Sequence, residues 1–250
     1  MNERPTAWIT GAGGLIGSHL LAAAREHAAG WSALGLTRSV VELTDHRAVE
    51  RLFREQRPGL IIHCAALSRS PDCQREPELA RRQNVEVTRV LAQLAVDIPF
   101  VFLSTDLVFD GRKGGYVEGD AVNPLSVYGE SKAEAEVIVL ANPRHLVIRT
   151  SLNAGQSPTG DRGMDEQLLA AWRAGRRMTL FTDEFRCPIP AAATARAIWE
   201  LVGQQATGLF HVAGAERLSR WQIAELLVAR HPEFKDLIQP GSLRDYTGAP

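Results

Sequence analysis

A tyrosine and a lysine stand four residues apart at the start of a predicted helix. The segment reads Tyr128-Gly129-Glu130-Ser131-Lys132, and positions i and i+4 share one helix face, so both side chains can enter one site. An ammonium group near a phenol stabilises the phenolate, which lowers the tyrosine pKa from about 10 and makes the phenol a usable proton donor. With 3 Tyr and 3 Lys in 250 residues, about 4% of shuffled chains would contain such a pair. The spacing predicts acid–base chemistry, and a pair on a helix surface is the alternative.

Hydroxyl side chains end a predicted strand upstream of that helix. The strand closes with Leu103-Ser104-Thr105-Asp106, and doubly wound sheets bind ligands outside the carboxyl ends of their strands. A hydroxyl group at this edge can hydrogen-bond a substrate carbonyl beside Tyr128. We select Thr105 for this role, with Ser104 as the second choice. Asp106 is assigned to the substrate side, and a capping or turn role is its alternative.

Three glycines follow the first predicted strand directly. Gly11, Gly14 and Gly17 have G-x-x-G-x-x-G spacing and open the first predicted helix. A tight turn without Cβ crowding lets the backbone approach a pyrophosphate, and the helix N-terminus offers free N–H groups to the anion. The segment predicts a dinucleotide cradle, with a purely structural turn as the alternative.

The end of the second predicted strand bears on the choice of nucleotide. NAD sites favour an acidic residue there, but this strand ends Gly35-Leu36-Thr37-Arg38-Ser39, with no acid before Glu42. A guanidinium and a hydroxyl suit a 2′-phosphate, so Arg38 and Ser39 favour NADP(H) as the cofactor. NAD(H) remains the alternative, with Arg38 as an ordinary solvated arginine.

The elements that must position these residues alternate along the first 150 positions. This alternation indicates an α/β fold with a doubly wound parallel sheet of the Rossmann type and a small C-terminal substrate lobe. The predicted strands are 7–10, 31–36, 60–63, 100–104 and 146–149, and the predicted helices are 15–29, 45–56, 77–96 and 126–140. Beyond a loop at 153–163, we predict helices 165–174, 191–202 and 219–229, strands 178–181 and 209–212, and no periodicity at 240–250.

Two regions follow from this pattern. Residues 1–150, rejoined by 191–214, are predicted to form the NADP-binding domain, and residues 151–190 and 215–250 the substrate-binding lobe.

Composition excludes several other classes of protein. Lys+Arg 28 against Asp+Glu 29 leaves a net charge of -1, which argues against nucleic acid or an anionic membrane as the partner. No apolar run reaches the length of a membrane span, and the polar start at residues 1–6 does not resemble a secretory signal. Cys64, Cys73 and Cys187 have no paired spacing, so we expect neither a disulfide framework nor a metal site. A cytoplasmic location is expected.

Several segments together resemble the extended short-chain dehydrogenase/reductases, and within them the dTDP-4-dehydrorhamnose reductase-like branch. The carrying segments, in chain order, are TGAGGLIG at 10–17, HCAAL at 63–67, QNV at 83–85, STDLVFDG at 104–111, NPLSVYGESK at 123–132 and FTDEFRCP at 181–188. STDLVFDG followed by the tyrosine–lysine pair is the most specific of these features.

The resemblance implies a role for each matching residue. Thr105, Tyr128 and Lys132 would be catalytic, with Tyr128 and Lys132 also touching the cofactor. The other implied cofactor contacts are Gly11, Gly14, Leu15, Ile16 and Gly17 at the pyrophosphate, Arg38 and Ser39 at the adenosine phosphate, Glu42 and Leu43 near the adenine, and Ala65, Ala66 and Leu67 along the cleft. Arg186 would face the substrate diphosphate, Asp106 the substrate, and Asn84 would fix backbone geometry. A homodimer is compatible with the branch.

The sequence departs from the branch in two places. After Arg149-Thr150-Ser151 the branch usually places a tryptophan and an apolar–aromatic pair, but Leu152-Asn153-Ala154 stands here, which leaves the sugar open. Relatives also usually continue beyond a segment like 244–250 by some tens of residues. Either the protein is short or part of the lobe is absent.

The resemblance implies an NADPH-dependent reductase of a ketone, on a nucleotide-linked 4-keto sugar. One alternative is a non-catalytic NADP-binding regulatory subunit, like the beta subunit of methionine adenosyltransferase. Another is an NAD-dependent sugar-nucleotide epimerase or dehydratase, which Arg38 disfavours.

Overall fold

Strands alternate with helices through the first 150 residues of the computed structural model, and the elements then become shorter. The structure describes residues 4–28 and 30–246. The strands are β1 Thr6–Thr10, β2 Ser32–Leu36, β3 Leu60–His63, β4 Phe100–Thr105, β5 Leu146–Thr150, β6 Asn153–Ala154, β7 Met178–Phe181, β8 Phe185–Arg186, β9 Ile189–Pro190, β10 Gly208–Val212, β11 Leu218–Ser219 and β12 Ile238–Gly241.

Helices connect these strands. They are α1 Leu15–His27, α2 His46–Gln56, α3 Ser70–Arg75, α4 Pro77–Arg81, α5 Val87–Leu94, α6 Val127–Leu140, α7 Met164–Arg173, α8 Ala191–Gly203 and α9 Arg220–Arg230. Several begin at a polar N-cap residue: the Asp45 carboxylate accepts from Ala48 N at 3.0 Å, and the Ser126 hydroxyl accepts from Gly129 N at 3.2 Å.

Six parallel strands form the central sheet, in the order β2-β1-β3-β4-β5-β10. Strands buried on both faces read as nearly continuous apolar runs, as β3 and β4 do. On one face, Trp8 and Ile61 join an apolar cluster to which α2, α5 and α6 contribute, and on the other face Ile9 and Ile62 pack with α1 and α8. The α/β fold with a doubly wound parallel Rossmann sheet is confirmed.

We call residues 4–150 and 191–214 the Rossmann part, and residues 151–190 and 215–246 the C-terminal lobe. Placement of β10 on the central sheet supports this division, which stays a proposal. The lobe has its own small core around Trp172, Leu180, Ala224 and Val228. Its strands form two-stranded sheets, β7 with β12, β8 with β11 and β6 with β9.

The structure differs from the predicted elements at several points. The two-residue strands β6, β8, β9 and β11 were not predicted, and β6 lies at the start of the predicted loop 153–163. The predicted helix 77–96 is interrupted by a π turn at Arg82–Glu86, a widened turn that its apolar periodicity does not signal. Helix α3 was not predicted, and β12 lies in the segment without periodicity, where it pairs with β7. The predicted helical position Ala29 and the chain ends 1–3 and 247–250 lie outside the described residues.

Among the residues that the structure describes, no helix combines the length and apolar character needed to cross a bilayer.

Candidate active site

Two glycines between the end of β1 and the first turn of α1 leave no room for side chains. Gly11 has a φ of +67°, and a Cβ there would lie 2.8 Å from Ala65 N. A Cβ on Gly17 would lie 2.3 Å from the carbonyl oxygen of Gly11. Because α1 begins at Leu15, its free N–H groups lie at this turn. The cradle therefore fits the close approach of an anionic dinucleotide.

A buried hydrogen-bond chain fixes the backbone opposite this turn. The Thr10 hydroxyl accepts from the backbone N–H groups of Cys64 and Ala65, each at 3.2 Å, so its own proton goes to His63 Nδ1 at 2.7 Å. His63 Nε2 then donates to the Thr88 hydroxyl at 3.1 Å. Burial and the positive charge of Lys132 lower the His63 pKa to about 3, which keeps the ring neutral. His63 thus positions the cleft wall.

The π turn extends this network to α6. The Asn84 side chain accepts from Leu67 N at 2.8 Å and donates to Leu67 O at 3.1 Å and to the Ser131 hydroxyl at 2.9 Å. Ser131 in turn donates to the carbonyl oxygen of Tyr128 at 2.7 Å. Asn84 therefore ties the loop after β3 to the first turn of α6, as expected for a residue that fixes backbone geometry.

The loop after β2 carries the residues assigned to the adenosine end. Arg38 and Ser39 are exposed, and the Ser39 hydroxyl lies 2.7 Å from that of Thr37. The backbone and side-chain hydrogen bonds of Thr44 lower the pKa of Glu42, and the charge of Arg38 lowers it further. This end of the cleft thus holds a guanidinium and hydroxyls beside an ionised carboxylate.

Thr105, Tyr128 and Lys132 line the same cleft. The Thr105 hydroxyl accepts from Leu107 N at 3.2 Å. Lys132 is 2% exposed, and its ammonium nitrogen lies 3.9 Å from the centre of the Phe102 ring. Burial lowers the Lys132 pKa to about 7, against the opposing effect of the Glu136 carboxylate. The lysine can therefore exist in both protonation states near neutral pH.

The pKa of Tyr128 differs from the prediction. Burial, followed by the charges of Cys73 and Asp106, raises it above its usual value, and this outweighs the lowering by Arg186 and by the Thr105 hydroxyl. The expected lowering by Lys132 was wrong for this structure, because desolvation of the phenolate dominates. In this arrangement Tyr128 is a protonated phenol, which suits a proton donor.

Behind Lys132 lies a buried ion pair that sequence reasoning missed. Arg149 donates to Glu136 through Nε at 2.9 Å and Nη2 at 2.7 Å, and the two side chains are 6% and 4% exposed. The Ser104 hydroxyl donates to the same carboxylate at 2.5 Å. Since Ser104 is engaged there, Thr105 is the better placed hydroxyl.

A second arginine–carboxylate pair joins the two regions at the substrate end of the cleft. Arg186 donates to Asp106 through Nε, at 2.9 Å from Oδ2, and through Nη2 to Oδ1. The Ser151 hydroxyl donates to the same Oδ2 at 2.6 Å. Ser151 was not predicted, although its position just after β5, at the carboxyl edge of the sheet, could have indicated it.

A cleft of about 820 Å³ connects these features. Of the predicted site residues it is lined by Gly11, Gly14, Leu15, Ile16, Gly17, Arg38, Glu42, Leu43, Ala65, Ala66, Thr105, Tyr128, Lys132 and Arg186. Ser39, Leu67 and Asp106 are not among the lining residues, but each is bonded to a neighbour described above. The lobe adds residues that were not predicted, among them Ser151, Arg162, Gln167 and Arg220. Apart from Ser151, sequence analysis did not find these residues because they lie in loops and near helix starts without a recognisable spacing.

Within residues 4–28 and 30–246, no cluster of three His, Cys, Asp or Glu side chains could hold a metal ion.

Several known proteins are similar to this chain in sequence, and solved structures are similar to it in fold. A probable low-salt glycan biosynthesis reductase Agl14 of Haloferax volcanii is 35% identical over 223 residues, which are 83% of this chain and 74% of that protein. A dTDP-4-dehydrorhamnose reductase of Sinorhizobium fredii is 30% identical over 237 residues, 90% of this chain and 78% of that protein. A methionine adenosyltransferase 2 subunit beta of Danio rerio is 30% identical over 229 residues, 86% and 70% of the two chains.

A solved structure of similar fold is the dTDP-4-dehydrorhamnose reductase of Bacillus anthracis in complex with NADP. Its TM-score is 0.86 at 24% identity, and the match covers 99% of this chain and 87% of that one. The prediction of an NAD(P)-dependent oxidoreductase of the short-chain dehydrogenase type is confirmed at the level of the family. Because the family described as RmlD substrate binding domain matches residues 6–249, this chain belongs to that family, the dTDP-4-dehydrorhamnose reductase-like branch of the extended short-chain dehydrogenase/reductases.

Proposed function

We propose that the protein is an NADPH-dependent reductase of a ketone, on a nucleotide-linked 4-keto sugar of the dTDP-4-dehydrorhamnose type. One observation carries the proposal: Tyr128, Lys132 and Thr105 line the same cleft as the glycine turn of the dinucleotide cradle. A proton donor and a binding site for an anionic coenzyme therefore face the same cleft. The reduction of a ketone requires both groups at one place.

Each group of cleft residues has a separate role in the proposed reaction. Gly11, Gly17 and the start of α1 would hold the cofactor, which supplies a hydride when bound. Tyr128 donates its proton to the ketone oxygen, and the Thr105 hydroxyl orients that oxygen. Lys132, when protonated, places positive charge beside the site, and it would also contact the cofactor. The protein's own contribution is positioning and electrostatics.

The choice of NADP(H) over NAD(H) is supported by Arg38 and Ser39 at the end of β2. Their guanidinium and hydroxyl groups suit the oxygens of a 2′-phosphate, and the related Bacillus anthracis structure contains NADP. Melting temperatures with NADPH, NADH and a panel of nucleotide sugars test the assignment, because a ligand raises the melting temperature according to its affinity for the native state. A larger shift with NADH than with NADPH would contradict it.

Replacing Tyr128 by Phe tests the proton donor. Loss of a general acid typically costs about 10²–10⁴-fold in rate, so Tyr128→Phe should lower kcat by at least about a hundredfold while NADPH affinity is nearly unchanged. Tyr246→Phe makes the same atomic change at an exposed tyrosine of the lobe and should leave kcat unaltered. Retained turnover in Tyr128→Phe refutes the assignment.

A regulatory subunit is the second candidate function. It is favoured by the methionine adenosyltransferase 2 subunit beta of Danio rerio, at 30% identity over 229 residues. Co-purification with a synthetase, together with no oxidation of NADPH on any keto-sugar, would support it over the reductase.

The compartment and the assembly remain proposals as well. The three cysteines are free thiols, which supports a reducing compartment such as the cytoplasm. Light scattering of the purified protein tests whether it forms the homodimer with which the branch is compatible.

A further inference from the structure

The pair of Asp106 and Arg186 lies where the C-terminal lobe meets the carboxyl end of β4. Arg186 ends β8, and Asp106 follows β4 directly. Nε and Nη2 of the guanidinium both bond the carboxylate, one to each oxygen. The arginine side chain is 9% exposed and the carboxylate 31%. Two parallel charge-assisted bonds fix the relative orientation of the two side chains.

Ser151 adds a second connection at the same point. Its hydroxyl donates to Asp106 Oδ2 at 2.6 Å and accepts from the backbone N–H of Cys187 at 3.1 Å. Asp106 therefore receives hydrogen bonds from the end of β5 and from β8. The ends of β4 and β5 and one strand of the lobe meet at a single carboxylate.

The pair lies at the cleft that contains Tyr128: Arg186, Tyr128 and Thr105 all line it, and Asp106 follows Thr105 directly in the chain. Besides burial, the groups with the largest effect on the pKa of the Tyr128 phenol are Cys73 from α3, Asp106 and Arg186, with the Thr105 hydroxyl as a neutral neighbour. Lys132, one turn further along α6, lines the same cleft. Asp106 disfavours the phenolate and Arg186 favours it. Since these two groups carry opposite charges and contact each other, their effects on the phenol partly cancel.

We propose that Asp106 and Arg186 are positioning residues for proton transfer: together they hold the lobe on the end of β4 and leave no uncompensated charge beside Tyr128. The catalytic consequence rests on the proposed function, but the charge balance itself does not require a substrate. Arg186 would serve catalysis through this pair, in addition to any contact that its Nη1 makes with a substrate anion.

Titration of Tyr128 tests the charge balance directly. Protein labelled with ¹³C at the tyrosine Cζ contains three tyrosines, and Tyr128→Phe identifies the resonance of interest. Asp106→Asn leaves the Arg186 charge without its partner, so the acid dissociation constant of Tyr128 should rise by about tenfold or more. In Asp106→Asn/Arg186→Gln both charges are gone, and the titration should return towards that of the wild type.

Two controls separate charge from structure. Asp106→Asn/Arg186→Lys breaks the bidentate contact but keeps the positive charge, so its Tyr128 should titrate as early as in Asp106→Asn. Ser151→Ala removes a hydrogen bond to Asp106 without changing any charge. It should therefore lower the melting temperature but leave the pKa of Tyr128 unchanged. A purely structural role would instead make the titration follow the loss of stability in all of these variants.

The double variants keep the test usable if Asp106→Asn does not fold. Arg186→Gln removes the unpaired charge that a single substitution leaves, so the neutral double variant is expected to fold best. Equal Tyr128 titration with Lys and with Gln at position 186, in the Asp106→Asn background, would overturn the proposal. If the variants titrate as expected but Tyr128→Phe keeps full turnover, the reductase proposal is refuted. The proposal about the charge balance of Asp106 and Arg186 then still holds.

Discussion

The Rossmann part and the C-terminal lobe hold their site residues by different means. In the Rossmann part, the four inner strands β1, β3, β4 and β5 are buried in apolar clusters on both sheet faces, and the glycine turn is fixed by contacts between backbones. In the lobe, the strands have only two to four residues, and individual carboxylates hold the loops by accepting hydrogen bonds from backbone N–H groups. Glu166 accepts from the backbone N–H groups of Ser157 at 2.7 Å, Arg162 at 2.9 Å and Gly163 at 2.8 Å.

This difference shows how one fold can keep its coenzyme and change its substrate. The cradle depends on close packing, where any added atom must displace backbone. The substrate side depends on a few charged side chains in loops, and single substitutions there can reshape it. Three predictions test how strongly burial and close packing fix the Rossmann part.

The buried Arg149–Glu136 pair should be the costliest contact to break. Glu136→Gln leaves the Arg149 guanidinium buried without a counter-charge, so the free energy of unfolding should fall by about 3–5 kcal/mol. Glu134→Gln makes the same change at the exposed face of α6, where the pair with Arg81 should be worth about 1 kcal/mol or less. Urea unfolding measures both, and equal losses would show that burial does not distinguish the two pairs.

Two glycines with nearly the same backbone conformation separate strain from steric contact. Gly11 in the cradle has a φ of +67°, and Gly175 in the lobe has a φ of +71° with open space around its Cβ position. Gly175→Ala should therefore cost only the left-handed strain of about 1–2 kcal/mol. Gly11→Ala adds a clash with Ala65 and should cost more and weaken NADPH binding. Thermal unfolding and cofactor titration would reveal matching losses if the cradle were not sterically fixed.

The buried lysine predicts a pH dependence. The Lys132 pKa falls from 10.5 to about 7 on folding, so between these values the unfolded chain binds more protons than the native one. Stability relative to Lys132→Met should consequently rise with pH across this window, by at most about 1.4 kcal/mol per pH unit, and level off on both sides. Lys235→Met removes an exposed lysine of the lobe and is the control. A falling difference would contradict the burial of Lys132.

Much of the Rossmann part could be predicted from short-range patterns. Apolar runs of four to six residues gave the central strands to within one or two positions, since such runs are stable only when buried on both faces. The π turn at Arg82–Glu86 was not visible because the residues around it keep a helical apolar pattern. In the lobe, β12 was missed because its pairing with β7 depends on a partner about 60 residues away.

Short stretches of sequence are enough to specify the glycine spacing, the tyrosine–lysine pair and the alternation of strands and helices, because each depends on neighbours within one turn or one strand. Three features depend on contacts between distant segments: Arg186 bonds Asp106 across 80 positions, Asn84 joins two walls of the cleft, and burial raises the Tyr128 pKa, which Lys132 was expected to lower. Those outcomes depend on desolvation and on contacts between distant segments, which exist only once the sheet has formed and the lobe has packed against it.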